Sequence, residues 1–548
     1  MTHLTPHTTR GRIRVLVIAI AGLLAAALVA AAPAQAKPGN ACDKQNNNTL
    51  QKLLACMTVD GVREHQAALQ AIADASTDPD YPDSRAAGTE GYAGSVDYVV
   101  DTLEAAGWDV SLDPVDITYS SPSLLRQLTP VDATYPTGAF TGSGSGDVTG
   151  AVIPVDINLD GDRASDSGCT ADDYDPSLFT GDNDIALVQR GTCNFGEKAY
   201  WAELAGAEAV IIFNQGNTPA REGLIVANGS SRDDGSPVFH GIPVVGASFD
   251  QGVALSQADA TARVRVLIET RTDYNVIAEL PGENDDNVVM AGAHLDSVLA
   301  GPGINDNGSG SAVLLELAQL IRKLEPVNTI RLGWWAAEEQ GLVGSTSYVN
   351  KQPQEELDRI AAYLNFDMVG SPNYFIGVYD ADESSFVAGA PVPDGSAAIE
   401  DLFEQYFTFA GVPYDDSAFS GRSDYQAFIN NGIPSSGLFT GAEVIKTPEQ
   451  AAIWGGTAGD QFDPCYHLAC DTYDNNSNAA LAANSGAVAH AVLTLSYSTE
   501  AVNGVPGEAV PGSNPLRLPT EFAGPEHTFA GPLGGEGPHD HDHDGEEG

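Results

Sequence analysis

The chain has 548 residues, more than one ordinary hydrophobic core accommodates, so more than one domain is expected. Only 25 Lys and Arg stand against 75 Asp and Glu, a formal charge of −50, which argues against a nucleic-acid surface because phosphate contacts need clustered basic side chains. The acid excess favours solubility and suits a divalent metal without requiring one.

Residues 1–36 read as a signal peptide. Arg10, Arg12 and Arg14 precede the apolar run "VLVIAIAGLLAAALVAAA", and Ala34-Gln35-Ala36 offers a cleavage site. The run is long enough to be an uncleaved anchor, but its alanine content and its cleavage site favour export. The mature chain is therefore expected to be secreted, without stable membrane association. No later segment reads as long and apolar enough to span a bilayer. Six cysteines suit an oxidising compartment. Sequence alone leaves their pairing open; Cys42–Cys56, Cys169–Cys193 and Cys465–Cys470 are expected because each pair lies within one organisational block.

In 37–121, Val96, Val99, Val100, Leu103 and Ala106 recur at helical spacing, Gly107 ends that helix, and "DVSL" reads as a strand. Residues 122–265 change character. Short β-runs ("GAVIPVD", "DIALVQRG", "AVIIFN", "GIPVVGAS") are separated by Gly, Asp and Pro around one helix, "FGEKAYWAELAGA", as in a small β-rich domain of its own. From 266 to 501 strand and helix alternate: "NVVMAGAHLD", "SGSAVLLELAQLIRKL", "TIRLGWWAA", "GLVGSTSYVN", "IAAYLNFDMV". The fold class expected is α/β, a mainly parallel mixed sheet with helices on both faces and an inserted β-rich domain. Residues 502–548 are rich in Pro, Gly and Glu and are expected to form a disordered acidic tail, in which His539, His541 and His543 are read as solvated rather than as a fixed metal site.

In parallel sheets the functional groups gather at the C-terminal strand ends. His294 and Asp296 end one strand, Asp306 lies in the following loop, Glu338 and Glu339 end the next strand, Asp367 ends a third, and His467 comes late in "FDPCYHLACD". Taken singly, each has a bland alternative. A strand-end His is often structural, an acidic pair is often a solvated face, and Asp306 could cap a helix, a task Asn307 or Ser309 would do as well. Together, two histidines and several carboxylates on one rim suit one or two zinc-class ions. The glycines around Asp306 are read as leaving room for substrate and metal.

The segments "GAHLDS", "GINDNGSGSA", "WWAAEEQGLVGS", "YLNFDMVGSPN", "GRSDY" and "GGTAGDQFDPCYHLACD" resemble the co-catalytic dizinc aminopeptidases, in particular the secreted bacterial leucyl aminopeptidase and aminopeptidase Y type. The 122–265 block resembles a protease-associated domain, with 37–121 and 266–501 as the two parts of the zinc peptidase domain. The resemblance implies two Zn²⁺ per chain. His294 and Asp367 would hold one, Glu339 and His467 the other, and Asp306 would bridge them. Glu338 would be the general base, Asp296 would orient His294, Tyr466 would assist catalysis, and Arg422 and Tyr466 would lie close to substrate. It further implies a peptide or protein substrate with a free N-terminus, read by the acids at the metal site, and a preference for hydrophobic residues such as leucine. A monomer is expected. The "NAALAANSG" stretch lacks the acidic residues that some relatives use there for calcium, so no calcium site is expected in that place. Three other readings compete: a glutamate-carboxypeptidase-type exopeptidase, a one-zinc glutaminyl cyclase relative and a receptor-like binding protein. The retained ligands and base disfavour the last.

Overall fold

The computed structural model describes residues 42 and 44–512, apart from 176 and 182. Residues 1–36, expected to be a signal peptide, and the tail histidines lie outside the described residues. Among the described residues fifteen strands follow in chain order: β1 (Asp109–Ser120), β2 (Leu124–Thr129), β3 (Ala133–Tyr135), β4 (Gly146–Pro154), β5 (Ile185–Gln189), β6 (Ala209–Phe213), β7 (Val244–Ala247), β8 (Thr261–Val266), β9 (Ile268–Leu280), β10 (Asn284–His294), β11 (Asn328–Trp335), β12 (Ile360–Phe366), β13 (Gly377–Tyr379), β14 (Asp415–Ser417) and β15 (Ser435–Phe439).

The larger sheet runs β1-β9-β11-β10-β12-β15-β13-β14. Its centre is parallel: β10 pairs in parallel with β11 and β12, and β12 with β15. Every residue of β11, β12 and β15 is buried, as expected of strands covered on both faces. The helices Gly308–Ile321, Ser396–Ala410 and Asn478–Tyr497 pack against this sheet in one continuous apolar core. The helix Asn478–Tyr497 corrects one expectation. At 20 residues and mean hydropathy 1.3 it is long and apolar enough to cross a membrane, but 78% of its apolar window is buried inside the protein. It reads as a core helix: a helix apolar all round is one packed on all sides.

The smaller sheet, β3-β2-β8-β4-β5-β6-β7, is antiparallel in its first half and parallel from β4 to β7. It buries its own side chains on each face. The long antiparallel pair β1 and β9, in register from Asp109↔Glu279 to Ser120↔Ile268, carries the chain out to this sheet and back. All three expected disulfides are present, Cys42–Cys56, Cys169–Cys193 and Cys465–Cys470.

Candidate active site

β10 ends on His294 and β12 stops one residue before Asp367, in adjacent parallel strands, so both side chains reach the same rim. Beyond His294 the chain loops to Asp306. Asn307, not Asp306, caps the helix Gly308–Ile321, accepting the Gly310 N–H over 3.0 Å, which leaves the Asp306 carboxylate to the cleft. The glycines here serve backbone packing. A Cβ on Gly310 would stand 2.1 Å from the Phe366 carbonyl oxygen, and one on Gly303 2.3 Å from that of Asp306. They let the helix start close against the end of β12.

β11 ends at Trp335, and Ala337 adopts a left-handed φ of 52°. That turn puts Glu338 and Glu339 into one short 3₁₀ segment, Glu338–Gln340, so that strand alternation no longer separates them. Met368 and His467 are left-handed as well, at φ 54° and 57°. Such non-glycine strain of about 1–3 kcal/mol per residue persists only where the surroundings over-determine it, and it clusters at functional sites.

The polar groups meet as two triads that share Asp306: His294, Asp306 and Asp367, and Asp306, Glu339 and His467. His294 Nε2 stands 3.2 Å from Asp306 Oδ1 and 3.2 Å from Asp367 Oδ1. His467 Nε2 stands 3.3 Å from Asp306 Oδ2 and 3.1 Å from Glu339 Oε2. Ligands held at about 2.0–2.1 Å around a tetrahedral zinc lie about 3.3 Å apart, so these separations fit two zinc-class ions. Glu339 Oε1 is buried and has no hydrogen-bond partner, a further sign that this carboxylate serves an ion. Glu338 lies beside both triads, and Tyr379, Arg422, Phe439 and Tyr466 complete the cleft wall.

The electrostatics are those of a cation trap. Burial opposes charge on both histidines, but Asp367 and Glu338 hold His294 well above its ordinary range, and Glu339 and Asp306 raise His467 to about 11. Burial lifts Glu339 to about 7 and Glu338 well above the usual carboxylate range. Burial also opposes charge on Asp306, which the two histidines nevertheless pull down.

A surrounding layer of groups fixes the geometry. His294 Nδ1 faces the Asp296 carbonyl oxygen at 3.1 Å and its carboxylate at 3.6 Å. Ser423 donates to Asp367 over 2.7 Å. Arg422 donates to the Tyr466 hydroxyl over 3.1 Å and to Glu443 over 2.9 Å, and the Tyr466 ring stacks on His467. Two buried acids escaped the sequence reading. Asp471 accepts the backbone N–H groups of Asn305 and Asp306 at 2.9 and 3.0 Å. Asp424, raised to about 7 by burial, acts electrostatically on Glu338. Both sit in segments already marked by their motifs, "CYHLACD" and "GRSDY".

Peptidase family M28 matches residues 275–492, and the PA domain matches 148–255. A Pseudomonas aeruginosa aminopeptidase is 49% identical over 431 residues, covering 77% of this chain and 78% of that protein. Leucine aminopeptidase 2 of Trichophyton rubrum is 44% identical over 341 residues, 61% of this chain and 66% of that one. The solved zinc aminopeptidase BSAP of Bacillus subtilis is 25% identical with a TM-score of 0.54, covering 80% of this chain and 94% of that chain. With nearly half of the aligned residues identical to a relative across most of both lengths, the chain belongs to peptidase family M28, as a metallo-aminopeptidase that carries a PA domain.

Proposed function

We propose that this is a secreted aminopeptidase that binds two zinc ions and removes hydrophobic N-terminal residues, leucine foremost, from peptides and proteins. Asp306 carries this reading: its two carboxylate oxygens each face a different histidine, at 3.2 and 3.3 Å, as a bridging ligand requires. His294 and Asp367 would complete one ion's set, and Glu339 and His467 the other's. Bound zinc supplies Lewis acidity, which makes water a usable nucleophile near neutral pH and polarises the scissile carbonyl.

The remaining steps fall to the chain's own side chains. Glu338 takes a proton from the attacking water and delivers it to the leaving amine. The Tyr466 hydroxyl, which accepts from Arg422, donates to the oxyanion as charge develops there, since an oxygen that accepts from a cation is the stronger donor. Tyr379 and Phe439 give the N-terminal side chain an apolar wall, which supports the leucine preference, as does the name of the Trichophyton relative. On the other side of Glu339 a cavity of about 420 Å³, bordered by Tyr119, Asp296 and Gln340, has room for the rest of the peptide.

The division of the chain proposed here is a signal peptide at 1–36, a zinc peptidase domain in two parts at 37–121 and 266–501, a protease-associated insert at 122–265, and a tail from 502. A monomer needs no second chain to complete the site. A panel of free-amine aminoacyl-nitroanilides, run with and without a chelator and beside N-terminally blocked peptides, tests the activity. Fast, chelator-sensitive release from the leucyl substrate is expected. Cleavage of blocked peptides with no action on free-amine substrates would make it a carboxypeptidase instead.

A further inference from the structure

Away from the cleft, the helix Ser396–Ala410 presents Glu400 and Glu404, one turn apart, to the edge of the larger sheet. There they meet Asp416 of β14 and, in the loop after β13, Asp380 and Asp382. Oxygens of Glu400, Glu404 and Asp416 lie within 4.8 Å of one another, and so do those of Asp380, Asp382 and Glu400. Glu400, Glu404 and Asp416 are 4%, 6% and 0% exposed. The charges that act most strongly on Glu400 and Glu404 are other carboxylates.

Buried carboxylates ordinarily have donors. Asp380 has them, in the N–H groups of Ser384, Ser385 and Phe386. Glu400 Oε2 accepts the N–H groups of Ala381 and Asp382, and Asp416 Oδ2 accepts the hydroxyls of Ser384 and Ser385. Asp416 Oδ1, however, is buried with no partner. Among the described residues nothing donates to the Glu404 carboxylate either. Asp416 thus keeps a buried oxygen without a donor, Glu404 is 6% exposed and accepts no hydrogen bond, and both stand with Glu400 around one point. Leaving such charge bare is costly, and it is relieved by a proton or by a cation. Without a cation, burial and the neighbouring acids push Glu400 up to about 9 and Glu404 to about 8.

We propose that Glu400, Glu404 and Asp416 bind one divalent cation of the calcium class. The set offers oxygen only, with no imidazole or thiolate, which disfavours zinc. Several carboxylates committed to one ion suit calcium, whereas magnesium keeps most of its water and takes one or two. The place is distinct from residues 478–486, where no calcium site is expected. The ion ties β14 to the helix Ser396–Ala410, and the loop after β13 is held to both through its hydrogen bonds to Glu400 and Asp416. β13 ends at Tyr379, in the cleft wall, and the Tyr379 ring stacks on Phe419, just beyond β14. The cation therefore braces the apolar wall from behind.

The test uses zinc-replete, full-length secreted enzyme, stripped of calcium by passage through calcium-depleted buffer and then titrated with calcium chloride. Bound calcium is counted by equilibrium dialysis with atomic emission, and Tm is followed in parallel. About one calcium per chain is expected, with a dissociation constant of about 10⁻⁵–10⁻³ M and a Tm that rises by several degrees at saturation. Glu404→Gln and Asp416→Asn should lose both responses and keep their zinc. If Asp416→Asn does not fold, Glu404→Gln, which removes a charge and keeps the shape, decides alone. No calcium bound at about 5 mM free ion, a variant that retains wild-type stoichiometry, or an equal Tm response to magnesium overturns the assignment. The first of these would mean that the acids are held by protons.

Discussion

The backbone N–H of Glu338 donates to Asp296 Oδ1 over 3.1 Å, while the other oxygen of Asp296 faces the Glu339 N–H at 3.4 Å. One buried carboxylate thus holds the 3₁₀ segment that carries both glutamates, and the same residue stands against His294 Nδ1. Asp296→Asn keeps one acceptor oxygen and turns an amide hydrogen toward a backbone donor. Zinc affinity should fall by about 10–100-fold. Competition with a metallochromic chelator measures this, and unchanged affinity would remove Asp296 from any orienting role.

Glu338 and Glu339 are neighbours with different proposed duties. Glu338→Gln preserves size and removes the basic carboxylate. It should keep two zinc ions and lose about 10²–10⁴-fold in kcat, roughly 3–5 kcal/mol of barrier. Glu339→Gln should weaken one zinc, and excess zinc should restore part of its rate. Metal analysis beside kinetics separates the two. A Glu338→Gln enzyme rescued by zinc would mean that the base lies elsewhere.

His490 lies in the core helix Asn478–Tyr497, its ring stacked on Tyr406, and burial lowers its pKa to about 4. In the unfolded chain it titrates near 6.5. The unfolded state therefore binds the extra proton first as pH falls, and the native state is destabilised progressively from about pH 6.5 to 4, by up to about 3 kcal/mol. His490→Phe keeps an aromatic ring there and removes this dependence. The fall of Tm between pH 7 and 4 should be shallower in the variant; parallel curves would count against the mechanism.

The proposed insert can be excised at the point where its two connections meet. The Ser121 N–H donates to the Leu267 carbonyl over 3.0 Å, just past the Ser120↔Ile268 pair. Replacing 122–266 with a two-residue Asn-Gly turn should let the β1/β9 hairpin close on itself. Hydrolysis of leucyl-nitroanilide and zinc content should survive, while activity on long peptides changes. A folded product that binds zinc but has lost small-substrate turnover would make the insert part of the catalytic site.

Asp471 anchors the loop that presents Asp306. Asp471→Ala leaves the buried N–H groups of Asn305 and Asp306 without their acceptor, at about 1–3 kcal/mol each. Lower Tm and weaker zinc binding should appear together. A loss of Tm with unchanged metal affinity would confine Asp471 to stability.

Much of this protein was legible from the sequence, because local patterns carry it. Strand-like runs ending in His294 and Asp367, and a helix starting after Asp306, follow from period and capping chemistry. So do the rim of the sheet and the residue types gathered there. What depended on groups far apart in the chain did not show. That Asp306 turns one oxygen to each histidine, and that Asp471 holds it from 165 residues away, are consequences of packing. No segment after the first 36 residues reads as long and apolar enough to span a bilayer, yet the helix Asn478–Tyr497 is, and only its packing inside the protein explains how apolar it is. The acids at 380, 382, 400, 404 and 416 fall in no motif of the sequence and are brought together by a loop, a helix and a short strand. Sequence records that a residue carries charge; whether water still reaches that charge is decided by the elements folded over it, and at Glu404 and Asp416 the tertiary structure has shut most of it out.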